Sequence, residues 1–439
     1  MPRIPLRLPA TEVRGILKNI SWLAAASLLV KPAWLLFIAA LCPRLLGVEA
    51  YGELLAALAL VGIAMSFADL GVTQLSVREV ARARHLAGRY FTNGLPYRGL
   101  LLVVAWAGAV GAALALGYRA AALGAVVVAG LYGASQSVVM YERAFFRGFE
   151  NLRYDAVSNV VEKALVLAAG VLALVATRSA VGVLGGMGAA MTAVAVGQTA
   201  WISARLAPLR RRLLSPAFAR RVALAAIPFG IADLLMTLYL RVDQVMIEAV
   251  LGASAVGQYG QAYRVLEALS IVPAIVAQGA LYPRLSVLAH TGERRRFARL
   301  MGYGALGLLV LSGGAAVALT LGGPALLHLL VPDPAFAPAG PALQVLCWSF
   351  PLTCVKDLLF VSFYATGHFR APTLTLGVAA LFNVAGNALL LPRYGILGAA
   401  AMTVASELLV VVIFTAYFFY TRRASARRAS EPTAPTCAS

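Results

Sequence analysis

An all-α polytopic membrane protein of about twelve transmembrane helices, arranged in two six-helix halves, is the fold class this sequence predicts. Three observations lead there. Of 439 residues, 61% are hydrophobic and only 13% charged, whereas an ordinary soluble domain is nearer a quarter charged. Apolar runs long enough for a bilayer core, roughly 20 residues at about 1.5 Å each, recur along almost the whole chain. The basic residues fall into loops on alternating sides, which is the signature of a chain threaded repeatedly through a membrane.

The element order follows from those runs. Spans are expected near 18–41, 51–72, 95–117, 120–142, 155–177 and 180–204, then near 223–250, 254–282, 300–322, 341–366, 371–391 and 397–420. The Ala, Leu, Val and Gly runs lack the two-residue alternation of an outer-membrane barrel, so helices alone can satisfy the backbone inside lipid. The domain expectation is an N-terminal six-helix half over 1–206, a basic cytoplasmic linker over 207–222, a C-terminal half over 223–420 and a disordered cytoplasmic tail over 421–439. The tail is rich in Arg, Ser, Ala and Pro, a composition that cannot build a core. The basic N-terminus leads into an apolar run longer than a signal peptide, so it reads as a retained first span.

The net charge of +19 is explained by topology. Arginines crowd one set of loops, with Arg78, Arg82, Arg84, Arg89 and Arg98 in one and Arg205, Arg210, Arg211, Arg212, Arg220 and Arg221 in another. The opposite side holds only Arg44, Arg119, Arg178 and Arg393. The positive-inside rule then puts both termini in the cytoplasm, requires an even number of spans, and removes the reason to invoke nucleic acid as a partner. Cys347 and Cys354 are seven residues apart on one expected helix, about 10 Å, which is beyond disulfide reach. The four histidines lack metal-ligand spacing, and no cofactor is implied.

A repeat supports the two halves. Leu46-Gly47-Val48-Glu49-Ala50-Tyr51-Gly52 follows the first span, and Leu251-Gly252 leads to Tyr259-Gly260 after the seventh. Halves of even span number share an orientation and are related about the membrane normal, a repeat type found in transporters.

Charges inside spans identify candidate functional residues, because a charge near the bilayer centre costs about 2.5–3.5 kcal/mol on insertion scales. The bases are Lys31, Lys163, Arg241, Arg264 and Lys356. Lys163 adjoins Glu162, and Arg264 can be neutralised by Glu267 one turn on. Lys31, Arg241, Arg264 and Lys356 are the candidate substrate-binding residues, lining a cationic cavity for an anionic substrate; the competing reading is structural ion pairing. Asp69, Asp233, Glu267 and Glu407 are the candidate ion-coupling or gating residues, with proton or sodium coupling in view. On the seventh span Asp233, Thr237, Arg241 and Glu248 form one helical stripe expected to face the protein, with Asp243 off it. Pro32, Pro228, Pro273 and Pro351 are candidate hinges.

The segments Leu17-Lys18-Asn19-Ile20-Ser21-Trp22, Pro43-Arg44-Leu45-Leu46-Gly47 and Ala68-Asp69-Leu70-Gly71, followed by Val77-Arg78-Glu79-Val80-Ala81-Arg82, resemble the polysaccharide transporter family. These are the Wzx-like flippases of the MOP exporter superfamily, whose fold is MATE-like. Arg241-Val242-Asp243-Gln244-Val245-Met246-Ile247 and the pair Tyr263-Arg264 extend the likeness. It implies alternating-access transport of an undecaprenyl-diphosphate-linked oligosaccharide across the bacterial inner membrane for surface polysaccharide biosynthesis. It also implies an anionic lipid-linked oligosaccharide as partner, with membrane lipids and polysaccharide polymerases alongside. A diphosphate headgroup fits a cationic lining. A MATE-type multidrug exporter would share the fold but favours an acidic lumen. A glycan polymerase or ligase would be expected to carry a sizeable outer loop with catalytic groups, and the stretch 323–340 has Asp333 as its one acid. The chain therefore reads as a transporter and not an enzyme, and with no Gly-rich phosphate loop or nucleophile constellation in any cytoplasmic segment, ATP-driven transport by this chain alone is disfavoured.

Overall fold

The computed structural model describes residues 32–368 and 370–430. Lys31 and the other residues before Pro32 lie outside the described residues, as do 431–439. Among the described residues every regular element is helical. In chain order these are α1 (Pro32–Asp69), α2 (Val72–Arg82), α3 (Ala87–Ala115), α4 (Ala120–Gly148), α5 (Leu152–Thr177), α6 (Ala180–Arg205) and α7 (Pro216–Leu251). They continue as α8 (Ala253–Leu269), α9 (Pro273–His290), α10 (Arg294–Leu330), α11 (Ala339–Leu346), α12 (Ser349–Ala365) and α13 (Arg370–Ser430).

Eight described helices are long and apolar enough to cross a membrane, and ten spans result if each bent pair, α8 with α9 and the segment Pro334–Leu346 with α12, is one. Two of the eight are themselves broken by glycine. Gly47 in α1 has φ 75° and ψ 176°, and Gly395 in α13 has φ 58° and ψ −143°. Splitting α1 and α13 there brings the ten to the twelve segments expected from hydropathy. Large apolar side chains such as Leu172, Leu321 and Leu381 point outward, where a soluble protein would bury them and a lipid-facing helix exposes them.

The repeat seen in the sequence has a backbone counterpart. Gly252, at the C-cap of α7, has φ 83° and ψ 177°, close to Gly47, and this positive-φ extended region is essentially restricted to glycine. The two repeats also touch reciprocally. A Cβ on Gly52 would lie 1.7 Å from the Ala253 carbonyl oxygen, and one on Gly257 would lie 2.2 Å from that of Val48. Each glycine thus meets the residue that follows the other repeat's turn, which is what two related helix pairs produce when they cross about a local axis.

Of the expected proline hinges, Pro273 opens α9 at its 41° bend from α8, whereas Pro228 does not coincide with a break. Pro228 sits inside continuous α7 and Pro351 in the first turn of α12. Local widening instead precedes two other prolines: π-helical turns at Phe37–Leu41 and Val276–Leu281 lead into Pro43 and Pro283. A proline ring clashes with the carbonyl four residues earlier, and a π turn there relieves it. Cys347 lies at the 49° bend between α11 and α12 instead of sharing a helix with Cys354. Helix α13 continues to Ser430, into the segment read as a disordered tail.

The chain forms two compact units. The first ends at Gln261 and includes Leu330–Phe336; the second comprises Ala262–Leu329 and Ala337 onward. This contact boundary differs from the topological one at 207–222, because α7 packs on α1 and α2. An aromatic core in the first unit sets Phe91 and Tyr141 edge-on to Phe145 at 4.9 and 5.3 Å. Tyr141 donates to the Tyr90 carbonyl at 2.7 Å, an approach that Gly94 permits because a Cβ there would sit 1.9 Å from the Tyr141 hydroxyl. The strap 330–336 is tied to the same unit by Arg44 Nε to the Leu330 carbonyl and Gln258 Nε2 to that of Ala335. In the second unit Phe363 packs edge-on against Phe414 at 5.3 Å.

Candidate functional site: intramembrane charges

In the first unit, Asp69 ends α1. Leu70 (φ 42°) and Gly71 (φ 78°) then reverse the chain into α2, and the turn lies against α7, where a Cβ on Gly230 would fall 2.3 Å from the Leu70 carbonyl carbon. The Asp69 carboxylate receives Arg98 Nη1 at 2.6 Å and the Thr73 hydroxyl at 2.5 Å. Arg98 is 3% exposed; it also donates to Thr73 at 3.1 Å and to Ser137 at 3.2 and 2.8 Å, and its guanidinium lies over the Tyr141 ring at 5.2 Å. Arg98 therefore departs from the reading that assigned it to a basic loop. The clue was its place inside the expected 95–117 span.

The α7 stripe divides along its length. Asp233 is exposed and feels the charges of Asp69 and Arg98. One turn on, Thr237 accepts from Ser66 of α1 at 3.0 Å. Arg241 is half-buried, and Glu248 is buried. Asp243, placed off the stripe, is buried as well and accepts the Tyr259 hydroxyl at 3.0 Å. More than one face of α7 is covered by protein, so a single polar stripe underestimates the buried charge.

Arg241 has company on α5. Arg241, Lys163 and Glu162 all act electrostatically on the Tyr132 phenol of α4. Lys163 pairs with Glu162 at 2.8 Å and lies 5.7 Å from the Trp34 ring centre. Glu162 also faces Arg143 at 3.6 Å, while Asp155 holds Arg143 and Arg147 at 2.6 and 3.1 Å. A further acid, Glu142, is fully buried and accepts from Thr199.

In the second unit, Arg264 is buried and its guanidinium pairs with Glu267, whose side chain is 42% exposed. Lys356 pairs across helices with Glu407 at 2.8 Å, each side chain being 8% exposed. The sequence neighbour Asp357 contributes to the same field at longer range. Beside them Asn387 donates to Asn383 at 2.9 Å and Asn383 to Ser406 at 3.3 Å, all three buried. Two residues expected to have separate roles, Lys356 in substrate binding and Glu407 in coupling, thus contact each other directly. Among the described residues no group of three or more His, Cys, Asp or Glu could hold a metal ion.

A family model described as polysaccharide biosynthesis protein matches residues 16–289, well over half of the chain. The chain belongs to that family. A second model, MatE, matches residues 228–389. Among solved structures the chain is similar to a multidrug resistance MATE family transporter of the MOP superfamily in its inward-facing conformation. The TM-score is 0.73 at 15% identity, covering 92% of this chain and 96% of that one. It is also similar to the lipid II flippase MurJ in an inward closed conformation, with TM-score 0.70, 11% identity and coverage of 89% and 86%. A third is a MOP superfamily transporter from Pyrococcus furiosus described by the reverse polarity of its binding pocket, with TM-score 0.55, 15% identity and coverage of 94% and 91%. At these identities the likeness establishes the fold. The sequence has no significant match among curated proteins. The chain is thus a multi-pass membrane protein of the polysaccharide biosynthesis family, with a fold shared with MATE transporters and the flippase MurJ.

Proposed function

We propose that the chain is a flippase that carries an undecaprenyl-diphosphate-linked oligosaccharide across the bacterial inner membrane by alternating access, with both termini cytoplasmic. The family match over residues 16–289 carries this reading. It is supported by bases held within apolar helices: Arg241 near Lys163 in the first unit, and Arg264 in the second. A diphosphate is the kind of ligand that compensates the cost of such charges by accepting charge-assisted hydrogen bonds. Lys31, Arg241, Arg264 and Lys356 are assigned to the headgroup. Asp69, Asp233, Glu267 and Glu407 are assigned to gating or to coupling with a proton or sodium gradient, and polysaccharide polymerases are the proposed downstream partners.

The second reading is a MATE-type exporter of cationic drugs, favoured by the MatE match over 228–389. The test is complementation of a flippase-deficient strain, with lipid-linked intermediates assayed on each leaflet and drug efflux measured in parallel. The expected result is restored glycan export that Lys31→Ala or Arg264→Ala abolishes without loss of membrane insertion. Drug efflux without glycan export would select the second reading, and full glycan export in both variants would refute the cationic headgroup site.

A further inference from the structure

A cavity of about 590 Å³ opens in the second unit among the ends of α9, α10, α12 and α13. It lies at the arginine-rich end of these helices, beside the 291–299 segment that carries Arg294, Arg295, Arg296 and Arg299. Its polar lining consists of His290, Arg294, Thr366, His368, Thr421 and Ser286. No Asp or Glu lines it among the described residues, and the nearest acid in sequence, Glu293, is engaged by Arg296 at 2.7 Å. One guanidinium, two imidazoles and three hydroxyls therefore line this space, with no carboxylate beside them among the described residues. The start of α10 adds the partial positive charge of a helix N-terminus.

The apolar lining is led by three aromatic rings, Phe297, Phe363 and Phe418, with Leu288, Ala289 and Ala365. His368 is held at the rim, its Nδ1 3.0 Å from the Thr366 hydroxyl and its ring edge-on to Tyr417 at 6.0 Å. Tyr417, Phe418, Phe419 and Tyr420 succeed one another there, with Phe419 and Tyr420 exposed. Aromatic side chains of this kind mark the level where lipid headgroups meet hydrocarbon. A cationic rim above an apolar wall at that depth suits an amphiphile whose polar end is an anion with several acceptor oxygens.

We propose that this cavity binds the headgroup phosphate of an anionic phospholipid, with Arg294 and His368 as its main donors. The site lies within one unit and does not depend on which substrate the protein transports. The test uses the purified full-length protein in detergent, with native mass spectrometry counting retained phosphatidylglycerol against phosphatidylcholine. The wild type should retain phosphatidylglycerol preferentially, and Arg294→Gln/His368→Gln should weaken that retention about tenfold, the loss of a charged hydrogen bond or two. Arg299→Gln, which removes an equal charge outside the cavity lining, should leave it unchanged. In a parallel arm, inorganic phosphate should displace the lipid from the wild type. Stabilisation by phosphate with no preference for phosphatidylglycerol would show a site for a soluble phosphate and overturn the lipid assignment. Equal lipid retention by the wild type and the double variant would overturn the site itself. Should the double variant elute as aggregate, the single change His290→Gln gives the same readout and must reduce phosphatidylglycerol retention.

Discussion

Breaking the Lys356–Glu407 pair should be far more damaging than removing it whole. The two charges are 2.8 Å apart, with each side chain 8% exposed, so at an effective dielectric of 20 their gross attraction is about 6 kcal/mol. Desolvation offsets much of that gain, and the net worth of the intact pair is therefore small. Lys356→Met removes the partner and leaves the carboxylate of Glu407 in the core of the second unit. Its Oε2 already has no hydrogen-bond partner among the described residues. The expected penalty is about 3–5 kcal/mol. Lys356→Met/Glu407→Gln keeps the shape and removes both charges, and it should recover most of that loss. The assay is the melting temperature of detergent-purified protein, where Lys356→Met should fall by roughly 3–5 °C and the double variant should recover most of that fall. A Lys356→Met protein as stable as the wild type, or a double variant as unstable as the single, would refute the buried-pair argument. Glycan export by the stable double variant then separates roles, because a purely structural pair is dispensable and a headgroup ligand is not.

Two further expectations rest on close contacts. Gly52→Ala places a Cβ 1.7 Å from the Ala253 carbonyl oxygen and should sharply reduce the yield of folded protein. Gly314→Ala, which meets nothing within 4 Å, should be neutral or stabilise by up to about 1 kcal/mol; yield on size-exclusion chromatography distinguishes them. Arg98→Ala strands the Asp69 carboxylate in a largely buried site and should cost about 3–5 kcal/mol. Arg98→Lys should recover only part of this, because an ammonium cannot span Asp69, Thr73 and Ser137 as the guanidinium fork does; thermal melting of both variants checks the order.

The all-helical membrane fold was legible in the sequence because the bilayer imposes it: apolar runs of spanning length and alternating basic loops are local properties, and hydropathy reads them directly. The repeat was legible for a similar reason. Gly47 and Gly252 occupy a backbone region that other residues avoid, so the requirement is written in the residue type. The i,i+3 pair of Arg264 with Glu267 could also be foreseen, since both partners lie on one helix.

What only the tertiary structure decided are the partners that come from distant helices. Lys356 adjoins Asp357 but meets Glu407, 51 residues on, and Asp69 draws Arg98 out of its expected loop. Spacing cannot disclose such pairings, because a buried charge selects its partner by three-dimensional distance and depth, where desolvation is strongest. The hinge prolines were legible only in part, Pro273 marking the α8–α9 bend and Pro228 none, for a related reason. A proline marks where a helix is allowed to distort, while the packing around it decides whether it bends there, widens into a π turn, or runs on unbroken.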